Sequence, residues 1–311
     1  MSARILGIGH YLPPEVDVGG VYRPIALDPV GPSTLAVEAT RGALAQAQLK
    51  PEAVDFIVFA TMTPDAGFPG SGCFFQDEMG FATIGALDVR AQCAGFVFGL
   101  SIAEQFVNAG AYERVLVVGA EVHSAGLDYS DARGQVARLY GDGAGVALVG
   151  DSSPAGSIRA AVIHADGRHH REFWCEYPSG RQHPFRMTLE AFHAGKHFLI
   201  LNADPVRRFG EESLSAVIHE VLAKAQMGVT NVDRFIIGHV FPDVAENVAQ
   251  RLGVERARLN VPARRYGHLT AAALPVALSE EVARGTLGPG ATVCLAASGA
   301  GFAWGAAVIT L

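Results

Sequence analysis

The chain has 311 residues, a length that fits one large domain or two of medium size. Half of the residues are hydrophobic, 18% are charged and 36 are glycine, which is typical of a compact α/β protein and excludes a disordered chain. The formal net charge of −7 argues against a nucleic-acid partner, because nucleic-acid binders usually present a basic surface.

No apolar run approaches the roughly 18 to 20 residues of a membrane span. The first residues, MSARILGIGHYLPP, lack the charged, apolar and cleavage zones of a signal peptide. We therefore expect a cytoplasmic protein with no membrane partner. The cysteines are scattered without CxxC spacing in a chain too long to need disulfides, so we interpret all four as free thiols: Cys73, Cys93, Cys175 and Cys294.

A repeat relates two distant parts of the chain. Residues 44–65 read LAQAQLKPEAVDFIVFATMTPD and residues 222–243 read LAKAQMGVTNVDRFIIGHVFPD, with eight of the 22 aligned positions identical. Each copy runs from a helix end into an apolar segment of strand length and then a turn at Pro-Asp. The two segments lie 178 positions apart without a gap.

The same offset aligns two further pairs of segments. Residues 93–110, which include a helical pattern, lie over 271–288, and the strand-like run at 114–122 lies over 292–300. The apolar, β-branched runs are typical of strands buried on both faces. We predict two similar α/β halves, each with a buried central helix, related by a pseudo-twofold axis.

The segment between the halves, roughly 123–211, departs from the repeat. We interpret it as the last strand of the first half, GAGVALVG, followed by an insertion at roughly 164–200, and assign residues 1–160 to the first half and 161–311 to the second. The insertion is rich in His and Cys, but no pair has the usual ligand spacing. We therefore predict a solvated loop and no metal site.

Three reactive side chains fall at strand ends that this symmetry would bring together. Ligands of α/β sheets bind beyond the carboxyl ends of strands, so equivalent ends of two halves can face one cleft. Cys93 opens the central helix of the first half, His268 precedes the matching helix of the second half, and His239 follows the strand that matches VDFIVFATM. A helix N-terminus stabilises a thiolate, so Cys93 is a candidate nucleophile, the alternative being a buried packing residue.

Five motifs, in order and spacing, resemble the ketoacyl-acyl-carrier-protein synthase III group of thiolase-fold condensing enzymes. They cover nearly the whole chain: ILGIGHYLPPEV (5–16), DVRAQCAGF (88–96), YGDGAGVALV (140–149), YGHLTAAALP (266–275) and GAGFAWGAAVI (299–309). GxGxYLP or GDGAG alone reads as an ordinary turn. Together they imply the thiolase fold, a duplicated α-β-α-β-α arrangement, which agrees with the repeat.

The resemblance also implies roles for individual residues. Cys93 becomes the nucleophile, and the backbone N–H groups of Cys93 and Ala300 become the donors that stabilise the oxyanion. His239 matches the family histidine that assists the second half-reaction, the alternative being a strand-end surface histidine. The family is homodimeric, and Phe68 would enter the acyl pocket of the partner subunit, the alternative being an ordinary core aromatic.

Two departures from the family pattern stand out. The family places Asn where this chain has His268, and the resulting Cys-His-His set is similar to that of the elongating synthases, whose histidines stabilise an enolate. A neutral imidazole N–H can replace an amide donor but can also act as a base. The Trp and Arg segment that clamps CoA in the family is replaced by VDVGGVYRPIALDPVGPS, which holds only Arg23 and favours an acyl carrier protein or an unusual thioester over CoA.

The resemblance, with its departures, implies an acyltransferase without a cofactor, whose substrates are acyl and malonyl thioesters. Cys93 would take an acyl group and pass it to a malonyl-type thioester by decarboxylative Claisen condensation, in a specialised fatty-acid or polyketide-type pathway. The first alternative is transfer of the acyl group to an alcohol, an amine or water, with a histidine as general base. The second is a non-catalytic subunit that pairs with an active homologue.

Overall fold

The computed structural model describes residues 3–130, 134–151 and 156–311. The strands found there are β1 (Ala3–Tyr11), β2 (Glu15–Asp17), β3 (Tyr22–Pro24), β4 (Phe56–Ala60), β5 (Gly85–Val89), β6 (Arg114–Glu121), β7 (Gly143–Asp151), β8 (Ser157–Ala165), β9 (Phe173–Cys175), β10 (Leu199–Leu201), β11 (Arg234–Gly238), β12 (Leu259–Asn260), β13 (Thr292–Gly299) and β14 (Ala303–Thr310). The helices are α1 (Pro32–Ala47), α2 (Ser71–Met79), α3 (Gly95–Asn108), α4 (Gly134–Ala137), α5 (Leu189–His193), α6 (Ala203–Lys224), α7 (Pro242–Arg251), α8 (Ala263–Tyr266) and α9 (Ala273–Ala283).

Two five-stranded sheets share one topology. The first has the strand order β1-β7-β6-β4-β5 and the second β8-β14-β13-β11-β12. In each sheet the first two pairings are antiparallel and the last two are parallel. The strands therefore correspond one to one, as expected of a duplicated fold.

The offset found in the sequence holds for the strands. Residues 56–60 of β4 align with residues 234–238 of β11, and residues 114–121 of β6 align with residues 292–299 of β13. All five residues of β4 are buried, as are all eight of β13, because helices cover both faces of each sheet. The predicted duplicated halves are confirmed.

The helices form three layers around the two sheets. Helix α3 packs against strands of both sheets, and α9 does the same, so these two helices lie in the middle layer. Helix α1 covers the outer face of the first sheet and α6 that of the second. This is the predicted α-β-α-β-α arrangement of the thiolase fold, in which the apolar α3 can be buried because both sheets cover it.

The segment between the sheets contains short elements. Strands β9 and β10 form a two-stranded antiparallel sheet, and α5 lies between them in the chain. The proposed division between residues 160 and 161 lies within β8, a strand of the second sheet, and stays a prediction.

The described residues contain neither a membrane-spanning helix nor a metal-binding group of side chains. No helix in them combines the length and the apolar character that a membrane crossing needs. Among the same residues, no three His, Cys, Asp or Glu side chains are grouped so that they could hold a metal ion. The four cysteines are free thiols: Cys73, Cys93, Cys175 and Cys294.

Candidate active site

Cys93 lies in a tight turn that leads into the middle layer. The 3₁₀ turn Gln92–Ala94 follows β5 and runs directly into α3. Gln92 has a φ of 48°, in the left-handed region that residues other than glycine rarely adopt. This turn places Cys93 between the sheets, where only 1% of its surface is exposed.

His268 contacts Cys93 from the second half. Its Nε2 lies 2.9 Å from the Cys93 Sγ, although 175 residues separate the two in the chain. His268 precedes the 3₁₀ turn Thr270–Ala272, which leads into α9 as the Cys93 turn leads into α3. The duplicated turns thus bring a thiol and an imidazole into direct contact.

Two backbone N–H groups also reach the sulfur. Those of Ala300 and of Cys93 itself donate to Sγ and lower the pKa of the thiol. They are the same two groups that the family resemblance implies as oxyanion donors. Gly299 leaves the room they need, since a Cβ on this residue would lie 2.1 Å from Sγ.

The protonation of Cys93 and His268 is governed by burial. Burial, followed by the nearby Glu121 carboxylate, raises the pKa of the Cys93 thiol to about 12 despite the two N–H donors. Loss of hydration thus outweighs the two N–H donors. Burial, with His123 and His239 nearby, lowers the pKa of His268 well below its usual value. The contact at neutral pH joins a thiol to a neutral imidazole.

His239 follows β11, as predicted, but the structure gives no direct contact between it and Cys93. Its Nδ1 lies 3.1 Å from the backbone nitrogen of Phe241 and 3.2 Å from its oxygen. The Nε2 edge faces α6, where a Cβ on Gly210 would lie 2.4 Å from it and where the Val206 carbonyl accepts. Only 1% of the side chain is exposed, and burial lowers the pKa of the imidazole to about 4. His239 is close enough to His268 to lower the pKa of that ring.

A buried polar network behind the Cys93 turn was not found from the sequence. The Nδ1 of His123 lies 2.9 Å from the Gly141 carbonyl, and its Nε2 lies 2.6 Å from Oγ1 of Thr270. Glu121, which is fully buried, accepts bonds from the backbone and side chain of Thr63 among others. The offset of 178 residues pairs Thr270 with Gln92 of the Cys93 turn, so the repeat could have pointed to Thr270. No sequence pattern points to His123 or Glu121.

The remaining two candidate residues lie away from this network. Phe68 is 79% exposed, which excludes the alternative of an ordinary core aromatic. The Arg23 guanidinium donates at 2.8 Å to the backbone carbonyls of Arg138 and Tyr22. Arg23 therefore bonds to the backbone of its own chain. Residues 16–33, all of which the structure describes, contain no other arginine that could replace the family's CoA clamp.

Comparison with known proteins identifies the family. The model for 3-oxoacyl-[acyl-carrier-protein] synthase III matches residues 87–167, and that for its C-terminal domain matches residues 222–311. A β-ketoacyl-[acyl-carrier-protein] synthase III of Clostridioides difficile is 31% identical over 99% of this chain and 98% of that protein. The chain belongs to the 3-oxoacyl-[acyl-carrier-protein] synthase III family.

Solved structures agree with this family. The β-ketoacyl-[acyl carrier protein] synthase III of Thermus thermophilus superposes with a TM-score of 0.88 and 29% identity, covering 99% of each chain. The priming β-ketosynthase of the R1128 polyketide biosynthetic pathway superposes with a TM-score of 0.88 and 26% identity, covering 100% of this chain and 96% of that one. As a member of the family the protein is an acyltransferase that forms an acyl-enzyme intermediate and extends it by Claisen condensation.

Proposed function

We propose that Cys93 carries the acyl group and that His268 accepts its proton. The observation that carries this proposal is the 2.9 Å contact between Sγ and the His268 Nε2, with the Ala300 and Cys93 N–H groups on the same sulfur. A thiol with a pKa of about 12 is a poor nucleophile until a base removes its proton, and a buried neutral imidazole in contact with it is such a base.

The first half-reaction then follows from these positions. The thiol proton passes to His268 as sulfur attacks the carbonyl of an acyl thioester, and the two backbone N–H groups stabilise the oxyanion. Collapse of the tetrahedral intermediate breaks the bond from carbon to the carrier sulfur. The carrier leaves as a thiol with the proton from His268, and the acyl group stays on Cys93.

In the second half-reaction the acylated sulfur no longer holds a proton, so His268 is free to bind the acceptor. A malonyl-type thioester loses carbon dioxide, and the electron pair of the broken C–C bond forms an enolate. A neutral N–H of His268 stabilises the enolate oxygen by a hydrogen bond, whereas the His239 ring nitrogens are engaged with Phe241 and Val206. The enolate carbon attacks the acyl carbonyl, the bond to Cys93 breaks, and the departing thiolate takes up one proton from water.

An acyl carrier protein is the thioester carrier we propose for this site, rather than CoA. The arginine that remains in the clamp segment, Arg23, has its guanidinium bound to two backbone carbonyls, which removes it from contact with nucleotide phosphates. A thioester carried by an acyl carrier protein lacks the CoA nucleotide that the family's Trp and Arg segment clamps. The pathway we propose is a specialised one of the fatty-acid or polyketide type, a context in keeping with the polyketide priming enzyme among its structural neighbours.

A homodimer is also part of the proposal. Strand β5 ends the first sheet with Ala86, Leu87 and Asp88 exposed, and Leu87 is 40% exposed. An open edge strand with an apolar side chain favours pairing with another strand. The exposed Phe68 is then available to a partner's acyl pocket.

Intact-protein mass spectrometry tests the acyl-enzyme. The protein is incubated with a panel of acyl-carrier-protein and CoA thioesters, and Cys93→Ala serves as the matched variant. We expect a mass gain of one acyl group that is absent in the variant, and a gain that persists in Cys93→Ala would move the nucleophile elsewhere.

Release of carbon dioxide tests the acceptor. Acylated protein is supplied with malonyl carrier protein, and carbon dioxide and a 3-oxoacyl product are expected in equal amounts. Transfer of the acyl group to water or an amine without carbon dioxide would contradict the proposed acceptor.

A further inference from the structure

Tyr140 lies beside the proposed base. Tyr140 and His268 form a parallel β-bridge, in which the His268 backbone N–H donates to the Leu139 carbonyl at 2.6 Å. Their ring centroids are 5.7 Å apart. The phenol oxygen is near enough to the Cys93 sulfur for a negative charge there to raise the pKa of the phenol. Tyr140 is thus part of the wall around Cys93.

The hydroxyl of this tyrosine is buried without a partner. None of the side chain is exposed, and within the described residues no hydrogen-bond partner lies within reach of the oxygen. Burying a hydroxyl without a hydrogen bond costs free energy, because its bonds to water are not replaced. A phenylalanine would fill nearly the same volume at no such cost.

A second unpartnered atom lies on the neighbouring ring. The Nδ1 of His268 is also fully buried and has no hydrogen-bond partner among the described residues. His123, whose ring centroid is 4.9 Å from that of Tyr140, has partners for both ring nitrogens, Gly141 and Thr270. The protein therefore satisfies both ring nitrogens of His123 but leaves three polar atoms around Cys93 without a partner among the described residues: the Tyr140 hydroxyl, the His268 Nδ1 and the Gln92 Oε1.

Tyr140 can act only as a donor or a neutral acceptor here. Burial, followed by the charges of Cys93 and Glu121, raises the pKa of the phenol well above its usual value. It keeps its proton at neutral pH and has that proton to donate. Negative charge develops on the oxygens of the malonyl-type unit when carbon dioxide leaves, and the proposed donor to this unit, His268, is the residue beside Tyr140.

We propose that the Tyr140 hydroxyl donates a hydrogen bond to an oxygen of the malonyl-type unit while that unit reacts with acylated Cys93. This inference rests on the proposed function and adds a second side-chain donor beside His268. The hydrogen bond moves no proton, so the balance of the condensation is unchanged. It also gives the buried hydroxyl the partner that it lacks in the free protein.

Tyr140→Phe separates this role from a structural one. We expect acylation of Cys93 to stay within about twofold of wild type, while condensation with malonyl carrier protein slows by about 10-fold to 100-fold. The thermal unfolding midpoint should be equal to or above that of wild type, because the variant removes a polar group without a partner. Slower condensation in a protein of undiminished stability is a result that packing alone would not produce.

Tyr266→Phe is the matched control. Tyr266 is 3% exposed, but its hydroxyl donates to the Glu280 carboxylate, so its removal should lower the unfolding midpoint without changing the ratio of the two half-reactions. If Tyr140→Phe condenses at the wild-type rate, or loses acylation instead, the inference is overturned while the proposed condensation stands. If the wild-type protein acylates Cys93 but releases no carbon dioxide from malonyl carrier protein, the proposed condensation fails and the inference fails with it.

Discussion

Gly299 faces the sulfur of Cys93 so closely that no side chain fits between them. A Cβ on Gly299 would lie 2.1 Å from Sγ and 2.6 Å from the Cβ of Cys93. The absence of a side chain on β13 therefore allows the turn that carries Cys93 to lie against the second half.

Gly299→Ala should displace Cys93 from its donors and from His268. We expect acylation to fall by at least about 100-fold, since a shift of about 1 Å in a reacting group costs this much. Overpacking should also lower the free energy of unfolding by about 1–3 kcal/mol. Rapid-quench mass spectrometry and urea unfolding measure the two effects.

Gly288→Ala is the control for this variant. An added Cβ there would meet no atom within 4 Å, so rate and stability should stay near wild type. Wild-type acylation by Gly299→Ala would contradict the described position of Sγ.

His268→Asn removes the proposed base but keeps an N–H donor. Acylation of Cys93 should slow by about 100-fold, because no base then accepts the thiol proton. The condensation step, measured on protein that has been acylated beforehand, should stay within about 10-fold, because an amide N–H can still bind the acceptor carbonyl. His219→Asn, an exposed position on α6, should leave both steps unchanged. Unchanged acylation in His268→Asn would show that another group accepts the proton.

Stability should depend on pH through His239. Burial lowers the pKa of this imidazole from 6.5 to about 4, so between these values the unfolded chain binds a proton that the folded chain does not. The contribution is full above pH 6.5 and is lost as the pH falls towards 4, and one imidazole accounts for about 3 kcal/mol. Urea unfolding from pH 7.5 to pH 4 should show a shallower decline for His239→Asn than for wild type. Parallel curves would mean that the His239 imidazole titrates with the same pKa in the folded and the unfolded protein.

Leu87→Lys tests the proposed dimer edge. A charge at this exposed position of β5 should oppose strand pairing and shift the protein to monomers in sedimentation velocity experiments. Leu189→Lys, on a residue of α5 that is 78% exposed, serves as the control and should leave the assembly state unchanged. A wild-type protein that sediments as a monomer at all concentrations would remove the basis for assigning Phe68 to a partner.

Most of the fold prediction was based on the internal sequence repeat. Because the strand and turn pattern of β4 recurs in β11 at a fixed spacing, local patterning was enough to predict two equivalent sheets and the central helices. The turn residues Gln92 and Thr270 show how detailed the equivalence is, since they lie 178 positions apart and have φ angles of 48° and 49°.

The polar surroundings of the site could not be predicted in this way. His123 and Thr270 are bonded across 147 residues, and neither lies in a pattern that marks it for the other. Tyr140 is the first residue of the motif YGDGAGVALV (140–149), whose glycines, rather than its tyrosine, matched the family pattern. The protonation of Cys93 depends on how completely the two halves exclude water, a property of the packed protein rather than of a helix N-terminus in isolation.

The equivalence of the halves stops at the reactive groups. In the register of the repeat, Cys93 corresponds to Ala271, His239 to Thr61, and His268 to Arg90. Each half keeps the backbone bend that presents a side chain to the middle layer, but one bend offers a thiol and the other a methyl group. The proposed reaction centre therefore lies at the seam between the halves, and neither half on its own holds both the thiol and the two imidazoles.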